Sequence, residues 1–387
     1  MYILAVIWLF YVLKYGCYIG VIWMFTMKTM KNPAITGSQA SLISRIERFQ
    51  GTFEATWFQR PALVENLKQA SIITSSGAST RIEGAILSDE QVRELVEKGC
   101  RITDISSRSE REVAGYVEAL NYIYDNFEKL TISEKTIREL HQLLTNKLTE
   151  GQLPAKQRGA YKDIINDVVE IDSTTGEVIR TWFKTTPPGP ATQAAMTGLV
   201  SGYNELVSGD ESHPLIVIGG FIVHFLAIHP FRDGNGRLSR LLTTLLLLRH
   251  GYRWAQYSSH EKIVEDNKES YYVSLRNTQS TLELTQPEYG DWLDFFLKTV
   301  SIQADYLNNK MIKESPAGVM NANEKHIFQV IEGAGTCKIA YILENTDMTR
   351  SGTKTLLKRL VDKGIIQKQG RGKGTTYQIT TSTKNQI

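Results

Sequence analysis

The sequence is poor in several residue types that would make particular chemistries easy. It has three cysteines, Cys17, Cys100 and Cys337, far apart and with no CxxC spacing. That leaves no basis for a disulfide framework or a cysteine zinc site, and fits a reducing compartment. The formal charge is only +3 over 387 residues. Such a surplus is too small for the whole surface to hold a polyanion, so any nucleic-acid contact has to come from a local patch. No period of roughly 20–50 residues recurs, which argues against a solenoid. Histidine is scarce as well. Of seven, only His229 lies in a segment dense with other reactive residues.

What is present is ordinary for a soluble globular protein, with 42% apolar and 22% charged residues. At ~100–200 residues per domain the length allows two or three domains. One stretch departs from this. Tyr2 to Phe25 is almost continuously apolar, broken mainly by Lys14. It is long enough to span a bilayer as a tilted helix. Lys28 and Lys31 follow it and would keep the bulk of the chain on the cytoplasmic side. No basic residue precedes the run, which argues against a cleavable signal. Met24, Met27 and Met30 are alternative starts, so a membrane anchor and a misassigned start both stand for residues 1–30. A cytoplasmic location follows from either.

From Ser38 to Phe49 apolar residues recur at three- and four-residue spacing, as in an amphipathic helix. Further helices are expected near 61–74, 88–99, 109–127, 133–148, 191–208, 214–228, 235–250, 261–280 and 287–308. Between them, Asp167–Asp172 and Glu177–Phe183 look like a β-hairpin around Ser173-Thr-Thr-Gly, and Pro187-Pro188-Gly189-Pro190 ends it. Ser315-Pro-Ala-Gly looks like a linker. Beyond it, 323–335, 338–345 and 349–363 fit three short helices, followed by a two-stranded wing.

The chemistry concentrates in His229-Pro-Phe-Arg-Asp-Gly-Asn-Gly-Arg-Leu-Ser-Arg240. Pro230 disfavours α geometry at His229, so the preceding helix should stop there and display the imidazole beside a loop. Gly234 and Gly236 permit positive φ, and such a loop can turn successive N–H groups towards an anion. The next helix adds its own N-terminal N–H groups. Arg237 and Arg240, three apart, can reach anionic oxygens. Asp233 would repel a phosphate unless Mg²⁺ bridges them. Loop glycines, two arginines, one carboxylate and one histidine together point to a metal-bound polyphosphate beside a general base.

This string resembles the signature of the Fic family, HPFx[D/E]GNGRxxR, at every defined position. The resemblance implies a mainly α fold: a Fic-type helical core with a β-hairpin flap, joined here to a small α+β winged-helix domain. It also implies roles. His229 would deprotonate a hydroxyl on a target protein, Ser, Thr or Tyr. Phe231 would anchor the loop, and Asp233 would hold Mg²⁺. Gly234, Asn235 and Gly236 would cradle the phosphates of ATP, with Arg237 and Arg240 on the phosphate tail. AMP would pass to the target and pyrophosphate would leave. His224, on the preceding helix, fits a packed core residue better than a functional one.

Ser79-Thr-Arg-Ile-Glu-Gly84 is similar to the family's inhibitory pattern, [S/T]xxxE[G/N]. The resemblance implies that Ser79, Glu83 and Gly84 end a helix from which Glu83 pairs with Arg240. Residues 178–188 fit the family's target-docking flap, where a sheet edge pairs with an extended segment. Gly159-Ala-Tyr-Lys162 resembles GxYR with lysine in place of arginine. Tyr271-Tyr272 resembles the pair near the adenine pocket, with Tyr272 as the ATP contact.

The expected organisation is 31–125 as an N-terminal region with the inhibitory helix, 126–310 as the Fic core, and 320–387 as the winged helix. The last carries Arg350, Lys354, Lys358, Arg359 and Lys363 on one helix and Lys368, Arg371 and Lys373 on the wing. Residues 349–373 suit a DNA backbone, but winged helices also dock proteins. Self-modification and a homodimer are further candidate partnerships. Three functions stand: a protein AMP-transferase restrained by Glu83; a Fic-fold enzyme that uses another phosphate donor or removes AMP; and a DNA-binding regulator with a silent core. Intact His229 and Asp233 argue against silence.

Overall fold

The computed structural model describes residues 33–380, apart from 57–60, 173, 174, 176, 210, 211 and 315–319. The apolar run at Tyr2–Phe25 and the linker expected at Ser315 lie outside the described residues. Among those described, no helix is long and apolar enough to cross a membrane. The fold is mainly helical, with one two-stranded and one three-stranded antiparallel sheet. Packing divides the chain into two units. One comprises the chain up to Gln50 with Glu65–Ala304, the other Gly51–Val64 with Asp305–Ile387.

Helices α1 (Gly37–Thr56) and α2 (Pro61–Ile82) open the chain, followed by α3 (Asp89–Glu97), α4 (Arg108–Asn126) and α5 (Glu134–Thr145). Serines start three of these. Ser88 and Ser107 form capping boxes with Gln91 and Glu110, and Ser133 caps α5. The hairpin follows as β1 (Val168–Ile171) and β2 (Val178–Phe183), antiparallel with two register irregularities. Then come α6 (Pro190–Gly209), α7 (Pro214–Ile228) and α8 (Asn235–Arg249). Helix α7 starts on a proline at its N-terminus and is buried along its whole length from Leu215. Helix α8 is buried from Arg237 to Leu248. Helix α7 is apolar on every side and belongs in a core, and α8 is buried beside it although it carries Arg237, Ser239, Arg240, Thr243 and Thr244, so these two form the centre of the first unit. The loop between them, 229–234, is thereby held on a rigid base.

Two expectations change here. The helix expected over 61–74 runs on to Ile82. Ser75, Ser76, Ala78, Ser79 and Thr80 are all buried; small residues packed on every side give no amphipathic signal to read. The helix expected over 261–280 is two, α9 (His260–Asp266) and α10 (Lys268–Gln279). Asn267 leaves helical geometry with φ −123 and caps back to Ile263 O at 2.8 Å, as short amide side chains do. Helix α11 (Gly290–Glu314) follows.

In the second unit, α12 (Ala322–Ala334), α13 (Ile339–Glu344) and α14 (Arg350–Asp362) precede β4 (Ile366–Gln369) and β5 (Thr376–Ile379). The expected two-stranded wing has a third strand, β3 (Thr336–Cys337), in the order β3-β5-β4. Two residues are too few to show alternation, yet Cys337 is buried and pairs with Tyr377. Ile327, Ile331, Ile342, Leu357 and Leu360 form this unit's core. Lys363 donates to buried Glu324 at 2.7 Å, so it serves the fold of this unit.

Candidate active site

Helix α7 ends at Ile228, and His229 follows with φ 52 and ψ 58, in the left-handed region. That region is uncommon for a residue other than glycine. His229 Nδ1 lies 3.2 Å from Leu226 O. A carbonyl only accepts, so Nδ1 carries the proton and Nε2 keeps its lone pair. Burial pulls the imidazole down to about 4, with Lys162 adding to this and Glu83 and Asp233 opposing it. The ring is therefore neutral at physiological pH and is half-buried, on the wall of a cavity.

The loop then braces itself. Asn235 Oδ1 accepts from Phe231 N at 2.9 Å and its Nδ2 donates to Phe231 O at 2.6 Å. The Asn235 side chain is thus spent on bracing the loop, which leaves its backbone N–H for the cradle. Phe231 is fully buried and stacks on His141 at 3.8 Å. His141 fixes the loop further: it accepts from Gly159 N on Nδ1 and donates from Nε2 to Asp233 O at 2.9 Å. Gly234 has φ 82 and caps α8 with no side-chain bond. The first N–H groups of α8 are left without a capping side chain, as an anion site requires.

Gly236 is needed for another reason than the one expected. Its φ is not positive; it lies inside α8. A Cβ there would collide with Glu83 Oε1. The Glu83 carboxylate occupies the space above that glycine at the helix N-terminus. Arg240 Nη2 donates to Glu83 Oε1 at 2.8 Å and to Ser79 O at 2.9 Å, and Nε donates to Ser79 Oγ at 2.8 Å. Gly84, with φ 99, ends this segment. Burial opposes ionisation of Glu83, but Arg240, then Arg237 and His229, hold its carboxyl below the usual carboxylate range. Its side chain remains 34% exposed, because it faces the cavity.

Arg237 turns the other way. Asp233 pairs with Arg237 at 3.0 Å and Arg108 at 2.8 Å, and Glu112 pairs with the same two arginines at 3.2 and 2.9 Å. The four make a closed ring of alternating charge. Burial works against an ionised Asp233, but Arg237 and Arg108 keep its pKa below the ordinary value. Arg237 and Arg240 are each 2% exposed. Arg237 Nε and Arg240 Nη1 lack a hydrogen-bond acceptor among the described residues. Buried donors of this kind fit an anionic ligand.

Asp233 and Arg237 lie on one cavity of about 380 Å³, whose lining also includes Glu83, His229, Gly236, Tyr272 and Trp182; Arg240 reaches it through its partner Glu83. Trp182 lies between the guanidinium groups of Arg180 and Arg276, at 4.2 and 4.4 Å, so the flap meets α10 across the cavity rim. Tyr271 is packed against Trp292 and Phe295, while Tyr272 lines the same wall. His224 is fully buried and bonded to the Tyr289 hydroxyl at 2.9 Å, a packed core residue as expected. A wider, more open hollow of about 620 Å³ near Ser38, Asp291 and Lys298 gathers neither histidine nor loop glycine. The chemistry lies in the smaller one.

The profile of the Fic/DOC family matches residues 131–247. A Fido domain-containing protein of Dictyostelium discoideum is 33% identical over 117 residues, 30% of this chain and 78% of that protein. The chain belongs to the Fic family. A protein adenylyltransferase Fic of Drosophila willistoni is 30% identical over 175 residues, 45% of this chain. The chain spans about a third of the length of that relative, 31%. A Fic family protein of Desulfovibrio desulfuricans has the same fold, with TM-score 0.56 and 19% identity over 90% of this chain and 98% of that one. The penicillinase repressor profile matches 321–386, the winged-helix region.

Against the Fic frame, the residues that sequence alone did not single out are His141, Asn166, Arg108 and Glu112. His141 and Asn166 lie inside the Fic match; Arg108 and Glu112 precede it. Each acts through a partner 63 or more positions away, and no spacing rule reaches that far. Lys162, noted for departing from GxYR, is buried beside the loop, and burial pulls its ammonium down to about 7.

Proposed function

We propose that this protein moves AMP from ATP to a hydroxyl side chain of a target protein, and that Glu83 restrains it in cis. The observation that carries this reading is the meeting of three things on one cavity: a neutral His229 with Nε2 unprotonated, an uncapped helix N-terminus, and Arg237, with buried Arg240 paired to the Glu83 that lines the same wall; both arginines have unused donors. ATP fits that set. Its phosphates would take the space over Gly236 and the free N–H groups of Arg237 and Arg240. Mg²⁺ would be held by Asp233, half-buried on the cavity wall, in exchange for one of its two arginine contacts. Among the described residues no three His, Cys, Asp or Glu side chains gather to hold an ion alone, but an ion carried by substrate phosphates needs only one or two carboxylates. When bound, Mg²⁺ would neutralise phosphate charge.

The residues divide the work. His229 Nε2 takes the proton as the target oxygen bonds to the α-phosphorus. The bond from that phosphorus to the bridging oxygen breaks, and pyrophosphate leaves. Arg237, Arg240 and the α8 N-terminus hold the phosphates and stabilise the charge that develops. Catalysis is positioning more than covalent chemistry. Glu83 blocks this by filling the hollow over Gly236 and by occupying Arg240, so ATP binds with its α-phosphorus misplaced. The exposed flap strand, with Val178 and Ile179 outward, offers an edge for an extended target segment. The test is parallel incubation of the Glu83→Gly chain with α-labelled and γ-labelled ATP. AMP transfer puts only the α label on protein; label from γ, or from neither, would point to another donor or to AMP removal.

A second activity is compatible with the first. Arg350, Lys354 and Lys358 are exposed and four apart on α14, and Lys368 and Arg371 are exposed beyond it. With the penicillinase repressor match, this basic row supports contact with a DNA backbone.

A further inference from the structure

We propose that Lys162 and Asn166 are positioning residues that hold His229 in its left-handed conformation, and so set the direction in which its imidazole faces the α-phosphorus. The inference rests on the AMP-transfer reading above. Helix α7 stops at Ile228 against a proline, which leaves carbonyl groups with no helical partner. Four consecutive carbonyls, 228 to 231, meet donors from one short segment. Lys162 Nζ donates to Ile228 O at 3.2 Å and Lys162 N to Pro230 O at 2.8 Å. Asn166 Nδ2 donates to His229 O at 3.1 Å and to Phe231 O at 2.7 Å. The carbonyls on both sides of His229, and its own, are thereby fixed.

The clasp is itself determined. Asn166 Oδ1 accepts from Lys162 Nζ at 2.6 Å and from the Thr185 hydroxyl at 2.9 Å. Turning the amide over would set its oxygen against two carbonyls, so only one orientation satisfies every group. Lys162 Nζ meets three acceptors: Asn166 Oδ1, Thr185 Oγ1 at 2.8 Å, and Ile228 O. Three donors on a compact head suit three converging acceptors, which a planar guanidinium would not match in the same way. Lys162 is 2% exposed, so no water competes for it. Thr185 follows β2 of the flap and is tied by its N–H to Asp167 Oδ1 at 2.9 Å. The base, the clasp and the root of the flap form one hydrogen-bonded unit. Lys162 lies off the cavity, and Asn166, though on its wall, has its amide committed to His229, Phe231, Lys162 and Thr185; both act through His229.

The experiment uses the full chain carrying Glu83→Gly, with α-labelled ATP, Mg²⁺ and a mixture of cell proteins. Asn166→Ala and Lys162→Met are each added to it, and Thr185→Val as a milder variant that removes one bond of the clasp. Rates, KM for ATP and thermal melts are measured on each. A positioning role predicts that kcat falls roughly 10- to 100-fold for Asn166→Ala and Lys162→Met, less for Thr185→Val, with KM for ATP within twofold and a cooperative melt. Lys162→Arg should restore part of the lost rate. Unchanged kcat in the folded variants, or kcat and KM worsening together, would overturn the inference. Should one variant fail to fold, Thr185→Val still decides. Should Glu83→Gly alone transfer nothing, the AMP-transfer reading fails, and the clasp is not what failed.

Discussion

Glu83→Gly is the perturbation whose size follows most directly from the geometry. The Glu83 carboxylate makes one charged hydrogen bond, at 2.8 Å, to an arginine that is otherwise held by Ser79. Such bonds contribute roughly 1.5–3 kcal/mol when well buried. Glu83 is 34% exposed, so screening brings the figure to about 1–2 kcal/mol. That free energy stabilises the restrained arrangement and must be overcome before Arg240 can meet a phosphate. It corresponds to roughly a 5- to 30-fold change in population. Clearing the volume over Gly236 adds to it, because phosphate oxygens and the carboxylate would compete for one space. Incorporation of α-labelled AMP should therefore rise at least roughly tenfold. Glu83→Gln, which keeps the volume and loses the charge, should rise less. A change below twofold in a Glu83→Gly protein that melts cooperatively and binds ATP would refute the reasoning.

Other outcomes follow from the same structure. Burial pulls His141, His224 and His260 to about 4, whereas in the unfolded chain they titrate near about 6.5. Between those limits the unfolded chain binds more protons, so stability falls as pH drops from about 6.5 towards 4, by roughly 1 kcal/mol per histidine at pH ~5.5. A melting temperature that stays flat from pH 7 to 5 would contradict this. In the second unit, Lys354→Ala and Lys358→Ala should each weaken binding to non-specific duplex DNA and flatten the salt dependence by about one unit of log–log slope. Lys363→Ala should instead lower the melting temperature, since it strands the buried Glu324 carboxylate; equal effects of all three on the salt slope would refute that division.

Much of the site was legible in the sequence because its constraints are local. Pro230 ends a helix, Gly234 takes a positive φ, and Arg240 lies one turn beyond Gly236. Glu83 meets Arg240, the pairing the family resemblance implied, and Ser79 adds two bonds to the same guanidinium that the sequence did not indicate. What stayed hidden depends on approach in space. Gly236 is required by the carboxylate of a residue far back in the chain rather than by its own backbone. Arg108 and Glu112 close the charge ring from α4, and His141 holds the loop from α5. The stretch from Ser75 to Ile82 was legible only through the resemblance of 79–84: made mostly of small buried residues, it lacks the periodicity that marks a surface helix. The third strand of the wing is simply too short to alternate.

The decisive measurement compares Glu83→Gly with Glu83→Gly/His229→Ala by mass spectrometry, after incubation with ATP and Mg²⁺ in a mixture of cell proteins, with ATP affinity measured in parallel. Adenylate should accumulate on protein hydroxyls with the first and fall by roughly 100-fold or more with the second, while both bind ATP alike. Equal adenylation by the two would show that His229 is not the base.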